Sequence, residues 1–355
     1  MTTSSPSRLF SRLQLCVLFL LGFILAAGCS QSAGPSGSGK SAKQGSSTDT
    51  DPERSADLRS KIIKPEAGKK PAFANSADQY LNAGGALDGL KATITYKEGD
   101  PSHSPISIVF PPTSNINDMD LAQVKGINSL EWLGLSGSKV TGLGFDNLQG
   151  MKFLHTLNLH HTPVDDAGLL NLPELPKMDR LHASHTQIVG PGLACLAKMP
   201  ELEYLDLRST KITGPGLEHI GKLKKLSHLY LGWNQIDDAA LAHLKDMPAL
   251  QVLELRNTLV KGPGLQHLAG VKTLEWLDLQ HTGVSGEDLR PLSVLVKLKT
   301  LDLGDTRLAD DNVKGLEAFD LKWLGVHETK LSPDGVAELK KLLPKAQIIE
   351  AATSP

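Results

Sequence analysis

The sequence predicts an α/β repeat solenoid, with strands aligned along one side and short helices along the other. Three observations carry this. Residues 202–225, LEYLDLRSTKITGPGLEHIGKLKK, are rewritten on both sides at a 24-residue spacing, and a period of that size with regular leucines marks stacked units. Leu202, Leu205 and Leu207 stand among Tyr204, Asp206 and Arg208 with a period of two, the pattern of a half-buried strand. Leu217, Ile220 and Leu223 then step by three, which suits one short helical face. A single unit has too few aliphatics to offset the entropy of ordering its backbone, so the units must share backbone ladders and a core.

Taken in order, the copies begin at Ile106, Leu130, Leu154, Met178, Leu202, Leu226, Leu250, Leu274, Leu298 and Leu321. The repeat region therefore spans 106–343 as ten units, and only the last interval departs from the period, by one residue. The first copy is degenerate, with Pro111 at an inward strand position, as an edge tolerates. Residues 74–105 are expected to cap the open end with a helical stretch over 76–90, a strand over 92–96 and a turn over 99–101. Residues 344–355 supply a last short strand and a tail.

Before the array, residues 1–28 read as an export signal: Arg8 and Arg12 precede an apolar run over 13–25 that ends in small residues. The segment Leu25-Ala-Ala-Gly-Cys29 resembles a bacterial lipobox, which implies lipidation of Cys29 and anchoring to a membrane of the cell envelope, on its periplasmic or surface side. It departs from that motif in having Ala26 where a branched apolar residue is preferred. Residues 29–73 are rich in Gly, Ser, Lys and Pro and read as a flexible tether, so proteolysis should leave a core that starts between about 70 and 80. Gly34 to Ser41 matches the phosphate-loop pattern G-x-x-x-x-G-K-[ST], but no strand delivers it and no helix pattern receives it, so it is read as linker. Cys16, Cys29 and Cys195 offer no disulfide framework. A net charge of -2 gives no basic field for nucleic acid.

The grammar L-x-x-L-x-L-x-x-T-x-I, followed by T-G-x-G-L or D-D-x-G-L, resembles the leucine-rich-repeat family over 106–343. It differs from the commonest form in placing Thr162, Thr186, Thr210, Thr258, Thr282, Thr306 and Thr329 where Asn usually closes the strand, with Asn234 as the familiar exception. The resemblance implies a right-handed solenoid with its parallel sheet on the concave face and helices on the convex face. It implies a protein, peptide or glycan partner bound on that concave face, with no reaction and no cofactor, and a monomer is expected.

Alternate strand residues should face that partner in columns. One column holds Trp132, Thr156, Arg180, Tyr204, His228, Val252, Trp276, Thr300 and Trp323. The next holds Gly134, Asn158, His182, Asp206, Tyr230, Glu254, Asp278, Asp302 and Gly325. With Arg208, Trp233 and Arg256 at the strand ends, exposed aromatics and interleaved Arg have the composition of an interaction hot spot. The partner-binding set is therefore Trp132, Tyr204, Asp206, Arg208, Tyr230, Trp233, Glu254, Arg256, Trp276, Asp278, Asp302 and Trp323. Outward Asp206 should matter little for folding, and Asp278, between two like charges, should titrate above an ordinary Asp.

Two other chemistries compete with binding. His160, His161, His182 and His185, with Asp206 nearby, could hold a transition metal, but their spacing matches no zinc motif and surface histidines are the favoured reading. Ser209 in register with His185 invites a hydrolase, which would also need an oxyanion hole and a strained nucleophile turn. No catalytic or metal residue is therefore assigned. His219, His243 and His267 fall on the helical side, too far apart for one ion. A purely structural spacer is the remaining alternative.

Overall fold

The computed structural model describes residues 87, 89–100 and 104–351. The export signal, Cys29, the phosphate-loop lookalike, the tether and most of the helical stretch expected over 76–90 lie outside the described residues. Among the described residues no helix is long and apolar enough to cross a membrane.

Twelve strands form one sheet in chain order. They are β1 (Thr93–Tyr96), β2 (Pro105–Val109), β3 (Trp132–Gly134), β4 (Thr156–Asn158), β5 (Arg180–His182), β6 (Tyr204–Asp206), β7 (His228–Tyr230), β8 (Val252–Glu254), β9 (Trp276–Asp278), β10 (Thr300–Asp302), β11 (Trp323–Gly325) and β12 (Gln347–Ile349). The first pair, β1 with β2, is antiparallel, and the pairs that follow are parallel and in register, so Leu181, Leu205 and Leu229 are direct neighbours. Each strand is short because the chain turns into the next segment as soon as its central leucine is buried. Leu202, Leu205 and Leu207 have no exposed surface and belong to one continuous core with their equivalents in the repeats from Leu130 onward; in the first copy the register is shifted by one residue, so Ile108 and Phe110 point inward and Pro111, expected there, does not.

The return segments differ from a uniform helical reading. Among the described return segments, Asp166–Leu170 (α1), Gly214–Ile220 (α2) and Pro333–Leu342 (α3) are α-helical, whereas others such as Pro191–Lys198, Pro263–Gly270 and Glu287–Val294 are 3-10. Apolar residues stepping by three satisfy a three-residue turn as well as the first turns of an α-helix, so the sequence pattern does not separate them. Neighbouring return segments approach closely. A Cβ on Gly168 would overlap the carbonyl oxygen of Thr141 one repeat earlier, which is why the G-L step recurs with glycine.

Side chains complete the ladder at two places in the repeat. The hydroxyls of Thr162, Thr186, Thr210, Thr258, Thr282, Thr306 and Thr329 each donate to the carbonyl three residues back, at 2.6–2.8 Å. Asn234 does more: its Oδ1 accepts from the Ile212 amide and shares the Thr210 hydroxyl proton with the Leu207 carbonyl, and its Nδ2 donates to Leu207 and Leu231, with Gly232 a longer third contact at 3.3 Å. At the turn into the return segment, the carboxylate of Asp166 accepts from the amides of Val189, Gly190 and Gly192, and Asp238 repeats this on Lys261, Gly262 and Gly264.

Candidate functional site

The two sheet-face columns have different fates. Trp132, Arg180, Tyr204, His228, Trp276, Thr300 and Trp323 are half-buried and reach solvent, while Thr156 and Val252 are buried. In the next column Asp206, Tyr230, Glu254, Asp278 and Asp302 are all buried, with Asp206 only 3% exposed. This corrects the expectation that both columns present themselves to a partner. Parallel strands in register lie about 4.8 Å apart, so long side chains of one column cover one another and the column beside them. Trp132, Tyr204, Trp276 and Trp323 keep part of their surface, as do Arg208, Trp233 and Arg256 at the strand ends.

Burial gives the inner column its own chemistry. Arg208 closes on Asp206 through two parallel bonds, Nε to Oδ1 at 3.0 Å and a terminal nitrogen to Oδ2 at 2.9 Å, and its amide adds a third at 3.1 Å. Burial pushes the Asp206 carboxyl up, but the Arg208 bonds and charge outweigh it and hold the group below the ordinary carboxylate range. The guanidinium also lies over the Tyr230 ring, 5.3 Å from its centre, and Arg256 sits likewise over Trp233 at 5.0 Å. Tyr204 packs between His182 at 4.7 Å and Tyr230 at 5.2 Å.

Further along, Glu254, Asp278 and Asp302 stack on three successive strands. The Asp278 carboxyl is raised well above its ordinary value, first by burial and then by Asp302 and Glu254. The expected direction is found, but desolvation rather than like-charge repulsion leads. The column is also threaded by donors: the Gln280 amide bonds Asp278 at 2.8 Å, and the Gln280 side chain bonds Asp302 at 2.6 Å.

The histidines divide. His161 and His185 stack at 4.2 Å with their planes 13° apart, and His160 stands edge-on to both at 4.5 and 5.2 Å. His182 instead packs on Tyr204, and burial pulls its pKa down to about 4. Asp206 is engaged by Arg208 and by the Ser184 hydroxyl at 3.2 Å, so it is not positioned as a ligand beside His182. Ser184 also bonds His160 Nδ1 at 2.8 Å. In this relay the hydroxyl lies between the imidazole and the carboxylate, whereas a nucleophilic triad needs the imidazole in the middle. Among the described residues, no group of three or more His, Cys, Asp or Glu side chains is arranged so that it could hold a metal ion. His219, His243 and His267 lie on separate return segments.

His161, His185, Ser209, Trp233, Asn257, His281, Asp305 and Glu328 occupy one structural position, a left-handed turn with φ between 49° and 58°. This conformation costs a non-glycine residue about 1–2 kcal/mol. From His161 to Asp305 it is held because the amide of each turn donates to the next repeat, as His161 does to Ser184 at 3.0 Å and Trp233 to Arg256 at 2.9 Å. The architecture is thereby decided. The chain folds as a leucine-rich-repeat solenoid. A leucine-rich-repeat family model matches residues 198–221 and 222–244.

Among solved structures, the solenoid is similar to an internalin (inlF) from Listeria monocytogenes, with 17% identity, 80% of this chain and 100% of that chain covered, and a TM-score of 0.46. It is also similar to an internalin C2 (inlC2) from the same organism, at 24% identity, 57% and 82% coverage and a TM-score of 0.42. A TDR receptor matches at 20% identity over 82% of this chain and 52% of that one, with a TM-score of 0.47. No curated protein sequence matches the chain. Sequence reasoning missed Ser184, Gln280 and the turn-bonding Asp166 and Asp238, because each acts on a neighbour one repeat away.

Proposed function

We propose that the solenoid is a binding module for a protein or peptide partner, which it engages through the half-buried sheet-face column Trp132, Arg180, Tyr204, His228, Trp276 and Trp323. The observation that carries this reading is the residue type of that column. Aromatic, imidazole and guanidinium groups keep partial access to solvent on one face, and Tyr204 and His228 are pre-ordered by stacking on each other at 6.1 Å. Side chains held in place before binding lose little entropy on association, and Trp, Tyr and Arg dominate interface hot spots. We further propose, on the resemblance of Leu25 to Cys29 to a lipobox, that the module is held at the cell envelope through a lipid on Cys29.

Site-specific photo-cross-linkers test the binding surface. Placed at Arg180, His228 or Thr300 they should capture the same partner from envelope extract, and placed at His243 or Lys224 on the helical side they should not. Capture from the helical positions alone would move the interface to the other face. Anchoring is tested separately, by incorporation of an alkyne-labelled fatty acid that the Cys29→Ser variant should lose.

A further inference from the structure

A row of exposed apolar residues follows the turns that lead from strand to return segment, apart from the sheet-face column assigned to a partner. It begins with Met119, 85% exposed, and Leu143, 75% exposed. The Asp118 carboxylate accepts from the amides of Gly142 and Gly144 at 2.9 and 3.0 Å, so Leu143 is held beside Met119. Asp166 and Asp238 fix Pro191 and Pro263 in the same way, through the glycine amides on either side of each. Exposed alanine or proline fills the position in the other repeats between Leu143 and Pro263, and the row stops where Glu287 and Asp311 follow. Alanine and proline suit the first residue of a helical segment. Met119 and Leu143 gain nothing there from facing water.

We propose that this side of the solenoid binds the same side of a second copy of the chain, the two rows running antiparallel about a two-fold axis that crosses them at Pro191.

An isologous contact needs a surface that complements itself, and this one does so twice about Pro191. The first match is in size. Pro191 stands midway between residues 119 and 263, three repeats from either end. Reversal therefore lays Met119 on Pro263 and Leu143 on Ala239, a large side chain on a small one each time.

The second match is in charge. The repeat at the axis has no charged side chain from Gln187 to Ala197, and Val189, 42% exposed, meets its own copy there. In the repeats on either side, each turn that carries a lysine is laid on a turn that carries aspartate. Lys139 comes over Asp237, Lys211 over Asp165, and Lys261 over Asp118. Any other reversed register would set lysine-bearing turns against turns without an acid, or aspartate against aspartate, so the charges choose the same axis as the apolar sizes. Both copies keep their aromatic columns open, and the assembly is a dimer where the sequence led us to expect a monomer.

The test uses the full chain solubilised in mild detergent. Val189→Cys treated with a short bis-maleimide should give a product of twice the chain mass, and Val294→Cys, 49% exposed but outside the row, should not. Cys195 is buried and stays out of the reaction. Sedimentation should show a concentration-dependent dimer in the parent. Met119→Glu combined with Leu143→Glu should raise its dissociation constant at least about 10-fold, with the melting temperature unchanged because both side chains already reach solvent. Lys139→Asp should weaken the dimer, and Asp237→Lys added to the same chain should restore it. A parent that is monomeric at every concentration, or Val189→Cys adducts formed only with other proteins, would overturn the second-copy reading. A folded Lys139→Asp, Asp237→Lys chain that stays as weak as Lys139→Asp alone would overturn the antiparallel register. None of these outcomes depends on a partner binding the aromatic column.

Discussion

At the residue scale, Leu205 and Asp206 are neighbours on β6 that point to opposite sides of the sheet, yet both are buried. Leu205→Ala opens a cavity in a core shared with two adjacent repeats and is expected to cost about 2–5 kcal/mol. Asp206→Ala strips Arg208 and Ser184 of their acceptor and is expected to cost about 1–3 kcal/mol; denaturant unfolding of the two variants checks both. A fall of Asp206→Ala within error of the parent would mean that Arg208 simply turns to water. The inward leucines were legible because period-two alternation names the faces of a strand. The burial of Asp206 was not, because it depends on Tyr230 and Arg208 lying across it. Asp278 contributes one part of the pH dependence. Its folded pKa is raised, so its contribution favours the fold below the unfolded value near 3.9 and is lost as pH rises through the folded value. Asp278→Asn keeps the acceptor for the Gln280 amide and removes that penalty. Its melting temperature should therefore exceed the parent's at pH 7 and approach it below pH 4, and the opposite order would show that the column gains from the charge.

At the element scale, the strand-closing position is where the Thr substitution in the motif acquires a physical account. A Thr donates once to its own turn, whereas Asn234 accepts from the neighbouring repeat and donates to two carbonyls, tying Leu207 of one repeat to Leu231 of the next. Asn234→Ala is therefore expected to cost about 2–3 kcal/mol and Thr258→Val about 1 kcal/mol, measured by chemical denaturation. Equal losses would mean that the inter-repeat bonds of Asn234 are replaced by water. The Thr column could be read from the sequence because its spacing repeats. The turn carboxylates could not, since Asp166 bonds Val189, Gly190 and Gly192, more than twenty residues on, and only stacking brings them together. The mixture of 3-10 and α return segments was hidden for a related reason: a three-residue apolar step fits both, and close contact at Gly168 or Gly264 helps set the backbone path.

At the scale of the whole molecule, a net charge of -2 conceals a segregated sheet face: half-buried rings and guanidinium groups run along its outer column, while Glu254, Asp278 and Asp302 are sealed beneath. Repetition made the solenoid legible from one 24-residue unit, because each copy poses the same burial problem and stacking solves it. Which column meets the solvent was not legible, since it is set by the width of side chains on neighbouring strands. The most direct measurement of the binding account is the affinity of the cross-linked partner, once isolated, for four purified variants. Trp276→Ala and Trp323→Ala should each weaken binding at least about 10-fold, roughly 1.4 kcal/mol, with melting temperatures near the parent's. Glu218→Gln and Lys222→Gln, on the exposed helical side, should bind as the parent does. Full affinity in both tryptophan variants, with loss in the helical pair, would contradict the account.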